Sequence, residues 1–178
     1  ATNQQVVYGD DVISRIARAH GGGLDALQQA AAETLNALVE ELCRRTGAPR
    51  QSLYEATVVG NTCMLQLLLG IDPYPIGVAP YIPAVVDELD LPAEAVGLAL
   101  APGARVHVLP SVAGYVGADA VANVLATAPS GSHGTCLILD IGTNAEMVLC
   151  RGERLWACAA AAGPAFEGAR ISCGMRAA

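Results

Sequence analysis

The chain of 178 residues is predicted to be an α/β protein, with helices flanking a mainly parallel sheet that has an antiparallel flank. Segments whose apolar residues recur at helical spacing alternate with short apolar segments rich in β-forming residues. Residues 136–160 hold consecutive β segments with no helix between them, which indicates antiparallel pairing. Since 53% of the residues are hydrophobic, the chain has ample material for a core.

Two helices are predicted in the amino-terminal part. Asp10 and Asp11 are suited to the cap and first turn of the first helix, where apolar residues recur every three or four positions. Three glycines at 21–23 interrupt this pattern. A second helix with one apolar stripe is predicted for residues 24–45, and both helices are expected to pack on the sheet.

The middle of the chain alternates strands and helices around a proline-rich stretch. Residues 70–102 hold six of the ten prolines, so an ordered excursion of extended turns is predicted there instead of a long regular element. The remaining signals give a strand at 53–59, a helix at 63–69, a strand at 105–109, a helix at 120–128, a hairpin at 137–149 and a strand at 154–160.

The hairpin at 137–149 carries the strongest functional signal. Asp140 ends its first apolar strand and can hold a hydrated cation. Gly142 would let backbone N–H groups approach an anion, and Thr143 and Asn144 can donate hydrogen bonds to phosphoryl oxygens. The same residue types also make ordinary turns, so the hairpin alone leaves a phosphate site and a plain turn as alternatives.

Three predicted strand ends are expected to lie near one another, at residues 60–62, 110–117 and 140–144. In open α/β sheets ligands bind outside the carboxyl ends of strands, which favours the phosphate interpretation of the hairpin. Asn61 and Thr62 have two possible roles here, as a cap for the following helix or as groups that face a phosphate.

Composition argues against several classes of function. The net charge is −7, and the ten basic residues are scattered arginines, so nucleic acid is not an expected partner. The sequence has no apolar run long enough to cross a bilayer and no signal-peptide pattern at its start, so a cytoplasmic protein without a membrane partner is expected. The six cysteines lack C-x-x-C spacing, and reduced thiols are expected instead of a metal site.

Five sequence blocks, taken in order, resemble one known family. They are YGDDVISRI at 8–16, GNTCM at 60–64, LPSVAGYVGAD at 109–119, DIGTN at 140–144 and AGPAFEGA at 162–169. Together they resemble the reductive activators of corrinoid proteins, in the superfamily of acetate and sugar kinases, heat-shock 70 ATPases and actin. The resemblance implies an actin-like, ribonuclease H-like ATPase subdomain with a mixed sheet and flanking helices, incomplete in this chain.

The resemblance implies an ATPase that couples nucleotide hydrolysis to one-electron reduction of cob(II)alamin on a corrinoid protein of a methyltransferase system. It implies ATP and Mg²⁺ in the intact protein and a [2Fe-2S] cluster in a separate domain absent from this chain. Residues 1–130 would form most of the first actin-like subdomain, without its first β-hairpin. Residues 131–178 would open the second subdomain, and such a fragment is expected to be inactive alone.

The resemblance also implies roles for individual residues. The second phosphate loop would consist of Asp140, Gly142, Thr143 and Asn144, with Asp140 as catalytic carboxylate and Mg²⁺ partner. The stretch from Gly163 to Gly168 resembles a loop near the nucleotide, from which Glu167 would reach the cleft as a second catalytic carboxylate. Asn61 and Thr62 lie where related phosphotransferases place residues that face the terminal phosphate.

A second hypothesis is that the segment is a docking module for a corrinoid protein or for a second copy of itself, without nucleotide chemistry of its own. The proline-rich stretch 73–83, with Tyr74, Tyr81 and Ile82, is the candidate surface. Without its first hairpin the sheet is expected to have an open edge. The strands at 136–160 are expected to fill that edge, within one chain or by exchange between two.

Overall fold

A computed structural model of the chain describes residues 3–9, 11–127, 134–142 and 144–163. The helices are α1 (Val12–Arg18), α2 (Leu24–Thr46), α3 (Thr62–Leu68), α4 (Tyr74–Gly77) and α5 (Ala118–Thr127). The strands are β1 (Glu55–Val58), β2 (Leu89–Pro92), β3 (Arg105–Val108), β4 (Thr135–Ile141), β5 (Asn144–Arg151) and β6 (Arg154–Ala161). No helix among these residues is both long and apolar enough to cross a membrane.

The strands form two separate three-stranded sheets. In the first, with order β1-β3-β2, β3 pairs in parallel with β1 and antiparallel with β2. The second, with order β4-β5-β6, is antiparallel throughout. A mixed sheet with flanking helices is confirmed, but the expectation of a mainly parallel sheet is wrong. The expectation fails at β2, a strand in the proline-rich stretch that was not predicted and that pairs antiparallel with β3. Pro92 ends β2, which is an edge strand, where a missing N–H is tolerated.

The expectation that residues 136–160 fill the open edge of the first sheet within one chain is also wrong. In the described residues β4, β5 and β6 pair only with one another, and β1 remains at the edge of its own sheet. Each of β4 and β6 pairs with β5, over seven and eight residue pairs respectively, so the three strands form an antiparallel sheet of their own. Exchange of strands between two chains stays a prediction.

The predicted break between the first two helices is confirmed. Ala19–Gly23 forms a kink between α1 and α2, in which Gly22 has a φ of 88° that favours glycine. Asp11 caps α1, because its carboxylate accepts a hydrogen bond of 2.7 Å from the backbone N–H of Ser14. Asp10 lies outside the described residues.

Helix α3 connects two hydrophobic clusters. Its Leu65 and Leu68 pack with Val106 and Val108 beneath the first sheet. On another side of the helix, Leu67 and Cys63 pack with α1, α2 and α4 in a second cluster that also contains Ile16, Leu27 and Ile76. Because α3 is buried on both sides, the position of its first residues is fixed, and these residues border the cleft described next.

Candidate functional site

A cleft of about 440 Å³ opens where the starts of α1, α3 and α5 meet the turn between β4 and β5. Ile13 and Tyr115 form an apolar part of its wall. The polar side chains that line it are Asp11, Arg15, Asn61, Asp119, Asp140, Asn144 and Glu146. The structure therefore brings Asn61 together with the hairpin residues Asp140, Gly142 and Asn144, as the convergence of strand ends predicted.

Asp140 is half-buried near the end of β4 and opens to the cleft. Its orientation follows from the alternation of the strand, in which the side chains at 136, 138 and 140 share the more buried face. Asn123 of α5 donates a hydrogen bond of 2.9 Å from its Nδ2 to Oδ2 of Asp140. One carboxylate oxygen is thus fixed by the protein, and the carboxylate is not sealed in the interior.

One backbone N–H in the turn after Asp140 is engaged within the protein. The backbone N–H of Gly142 donates to the carbonyl of Asn144 at 2.9 Å, so it closes the turn and is not available to an anion. The role of Gly142 in letting backbone N–H groups approach an anion stays a prediction, but its own N–H is not one of the free groups. Asn144 lines the cleft, and Thr143 lies outside the described residues.

Carboxylates concentrate the negative charge of the cleft. Glu146 of β5 lies directly opposite Asp140 of β4, and Asp119 in the first turn of α5 lines the same space. Burial raises the pKa of Glu146, and the negative charges of Asp119 and Asp140 raise it further. These groups therefore favour uptake of a proton or of a cation into the cleft.

Replacing Glu146 by glutamine is expected to raise the melting temperature at neutral pH. The raised pKa means that the folded state holds the proton more tightly than the unfolded chain, so ionised Glu146 costs stability. That cost appears as the pH rises above the ordinary carboxyl range and is full above the raised pKa. The higher melting temperature of the variant should accordingly disappear at acidic pH, where Glu146 is protonated in both the folded and the unfolded state. Melting curves from pH 4 to 8 measure it, and an advantage independent of pH would contradict this assignment.

Asn61 both caps a helix and lines the cleft. Its side chain accepts a hydrogen bond of 2.9 Å from the backbone N–H of Met64 at the start of α3, and it borders the cleft as well. Thr62 does not line the cleft: it is 1% exposed, and its hydroxyl donates to the carbonyl of Ala113 at 2.7 Å. Thr62 therefore offers no side-chain group to a ligand in the cleft.

The predicted loop at 163–168 contributes little to the described site. Gly163 follows β6 in a left-handed conformation, with φ 94°, and is not among the described residues that line the cleft. Glu167 and Gly168 lie outside the described residues. Their assignments remain predictions.

The described part of the chain provides no ligand set for an iron–sulfur cluster. Its five cysteines are free thiols, and no group of three or more His, Cys, Asp or Glu side chains in this part is placed to hold a metal ion. Cys63 is buried, and burial raises the pKa of its thiol to about 12, so it is protonated at neutral pH. A [2Fe-2S] cluster, which needs four ligands, does not fit these residues.

Two family descriptions cover nearly the whole chain. The description "RACo middle region" matches residues 1–129, and "C-terminal domain of RACo the ASKHA domain" matches residues 134–178. The chain belongs to the reductive activators of corrinoid proteins. The predicted family and the actin-like fold class of these activators are thereby confirmed.

Individual relatives of the chain agree with this family assignment. It is 33% identical over 98% of its length to "Corrinoid activation enzyme RamQ" of Eubacterium limosum, of which it covers 29%. It is 45% identical over 40% of its length to "[Co(II) methylated amine-specific corrinoid protein] reductase" of Methanosarcina barkeri, of which it covers 13%. A solved "Reductive activator for corrinoid,iron-sulfur protein" is 42% identical and superimposes with a TM-score of 0.89 over 99% of this chain and 28% of its own. The chain thus spans less than a third of each of these proteins.

Proposed function

We propose that this chain is part of an ATP-dependent reductive activator of corrinoid proteins and that its cleft holds Mg²⁺ and the phosphates of ATP. The observation that carries the proposal is the carboxylate of Asp140, held by Asn123 at the edge of an open acidic cleft. The names of the relatives, which refer to corrinoid activation and reduction, support the choice of a corrinoid protein as the partner.

The side chains of the cleft fit Mg²⁺. This ion prefers oxygen ligands and is usually held by one or two carboxylates together with waters and substrate phosphates. Asn123 occupies Oδ2 of Asp140, which leaves Oδ1 for the ion or for one of its waters. Bound Mg²⁺ would supply charge neutralisation on the phosphates. Asp119 and Glu146 lie close enough to add to the attraction for a cation.

Other residues of the chain would position the nucleotide. Asn144 and Asn61 line the cleft and carry side-chain amides that can donate to phosphate oxygens. Their backbones are fixed, because Asn144 starts β5 and Asn61 caps the buried helix α3. The work of these residues is to bind and orient the phosphates before hydrolysis.

In the intact activator we propose that nucleotide hydrolysis drives one-electron reduction of Co(II) on the corrinoid partner. The electron would come from a [2Fe-2S] cluster in a separate domain, as the family resemblance implies. Residues 1–130 would belong to the first actin-like subdomain and residues 131–178 to the second. The junction between the two matched family descriptions, at 129–134, supports this division.

Titration of the intact activator with ATP, with and without Mg²⁺, tests the proposal. We expect saturable binding that depends on the metal, and ATP-dependent loss of the Co(II) electron paramagnetic resonance signal of the corrinoid protein in the presence of a reductant. Loss of that signal at the same rate without ATP would contradict the coupling. Failure to bind Mg-ATP would contradict the site.

A second candidate function is docking of the corrinoid protein on the proline-rich stretch. Tyr81 and Ile82 are 50% and 62% exposed, and Tyr74 is exposed as well, so this stretch presents three large side chains to a partner. Tyr81 contacts the ring of Tyr115 edge to face, and the hydroxyl of Tyr115 donates to the carbonyl of Ile76 at 3.0 Å. This apolar surface therefore adjoins the cleft wall.

Changing Tyr81 and Ile82 together to serine is expected to weaken binding of the corrinoid protein by about tenfold, since large buried side chains dominate interfaces. Binding of Mg-ATP should not change. Biolayer interferometry with the corrinoid protein measures the first, and calorimetry the second. Equal affinity of variant and wild type for the corrinoid protein would rule out this surface.

A further inference from the structure

Arg15, on α1, is the only basic side chain among the described residues that line the cleft. The same space is bordered by the carboxylates of Asp11, Asp119, Asp140 and Glu146. Bringing several further negative charges into such a cleft is unfavourable unless positive charge lies near them. Among the described residues, Arg15 is therefore the one best placed to offset the charge of an anionic ligand.

The guanidinium of Arg15 is held by one of its three nitrogens. Nε donates to the carbonyl of Gly9 at 3.0 Å, in a half-buried position. Among the residues that the structure describes, no carboxylate lies within 4.0 Å of Arg15, and its two terminal nitrogens make no hydrogen bond. The side chain is thus oriented by the protein, while four of its N–H donors have no partner among the described residues and can bind a ligand.

Local packing explains why Arg15 has this position. Gly9 lies so close to α1 that a Cβ there would come within 2.7 Å of Cβ of Ser14, so the chain can pass near Arg15 only because residue 9 is glycine. The neighbouring Ile16 is buried against Cys63 and Leu67 of α3, which fixes the rotation of α1 about its axis. Arg15 consequently sits on a rigid element, as a binding residue should.

We propose that Arg15 binds the phosphoryl oxygens of the nucleotide, together with the Mg²⁺ held at Asp140; this inference rests on the function proposed above. Two N–H groups of a guanidinium match two oxygens of a phosphate, and such charge-assisted pairs are about twice as strong as neutral hydrogen bonds. Mg-ATP keeps a net negative charge, so the cleft needs a cation of its own in addition to the metal.

The test compares Arg15→Gln and Arg15→Lys with the wild type in the intact activator. Glutamine can still donate to the carbonyl of Gly9 but carries no charge, whereas lysine keeps the charge and loses the paired donors. Arg18→Gln is the matched control, because Arg18 is on the same helix but is exposed and lies over the ring of Tyr8. Calorimetric titration with Mg-ATP measures affinity at several salt concentrations, and melting curves without ligand check the fold.

Arg15→Gln is expected to bind Mg-ATP about 10- to 100-fold more weakly, the effect of losing a charged hydrogen-bonded partner, and with a smaller dependence on salt. Arg15→Lys should bind Mg-ATP only about three- to tenfold more weakly, because it loses the bidentate geometry but keeps the charge. Arg18→Gln should bind as the wild type does. Without ligand, the melting temperatures of the variants should equal that of the wild type, because the loss of affinity comes from lost contacts with the ligand and not from the bond to Gly9.

The outcomes separate this inference from the function on which it rests. If the wild type binds Mg-ATP and Arg15→Gln binds it equally well, Arg15 is not a phosphate ligand, while the nucleotide site stands. If the wild type does not bind Mg-ATP, the proposed function fails and this inference fails with it. If Arg15→Gln does not fold, Arg15→Lys decides: weaker binding with an unchanged melting temperature supports the inference, and unchanged affinity overturns it.

Discussion

Replacing Asp140 by alanine is expected to weaken the binding of Mg-ATP to the intact activator on the order of 100-fold, at the upper end of what loss of a metal-site group costs. The variant removes the carboxylate that Asn123 orients toward the cleft. Without it, Asn123 has lost its partner and the metal has lost its oxygen ligand or the acceptor for its bound water. Isothermal titration calorimetry with Mg-ATP measures the change.

Two further variants test whether the loss of Mg-ATP affinity depends on the charge and the position of the Asp140 carboxylate. Asp140→Asn keeps an oxygen that Asn123 can bind but removes the charge, so it should bind Mg-ATP nearly as weakly as the alanine variant. Asp87→Ala removes an exposed carboxylate that does not line the cleft, and its affinity should equal that of the wild type. Wild-type affinity in Asp140→Ala would show that this carboxylate does not hold the metal.

Replacing Gly117 by alanine is expected to destabilise the protein by about 1–3 kcal/mol, the usual cost of forcing an extra carbon into a packed site. A Cβ at this position would lie 2.6 Å from Cα of Asn61 and 2.8 Å from the carbonyl oxygen of Gly60. Both are backbone atoms, so the start of α3 must shift. Because Asn61 and Asp119 line the cleft beside Gly117, affinity for Mg-ATP should fall as well.

Gly21→Ala is the matched control for this second variant. It adds the same carbon where no atom lies within 4 Å, and the φ of Gly21 is −77°, which alanine adopts without strain. Thermal and urea unfolding should separate the two variants clearly. If Gly117→Ala has the melting temperature of the wild type, the chain at Gly117 does not approach the start of α3 as closely as described.

The elements that sequence alone predicted are those set by local signals. The apolar stripe and the three glycines placed the boundary between α1 and α2, because helix periodicity and chain breaks depend on neighbouring residues. The hairpin of β4 and β5 was predicted for the same reason: two apolar strands flank a short turn. The position of this hairpin at the cleft followed from the rule that ligands bind at the carboxyl ends of strands.

The features that sequence did not predict depend on contacts between distant segments. Strand β2 has little signal of its own and exists because it pairs with β3. The division into two sheets, the hydrogen bond that occupies the N–H of Gly142 and the burial of Thr62 likewise follow from how distant segments pack. Spacing along the chain carries no direct information on these contacts.

Sequence reasoning missed several residues of the candidate site, and for three of them the sequence held weak signals. Glu146 is an acid in an otherwise apolar strand, and counting the hairpin register from its turn places it opposite Asp140. Asn123 is an amide in the apolar helix α5. Arg15 lies within the block at 8–16 that carried the family resemblance, but its direction toward the cleft required the fold.

The most direct test is a crystal structure of the intact activator with a non-hydrolysable ATP analogue and Mn²⁺ in place of Mg²⁺. An anomalous difference map locates the manganese independently of how the phosphates are interpreted. We predict a manganese peak within coordination distance of the Asp140 carboxylate or of a water bound to it, with the phosphates in the cleft that Asn61 and Asn144 line. A nucleotide and metal bound elsewhere, with Asp140 still contacting only Asn123, would contradict the account.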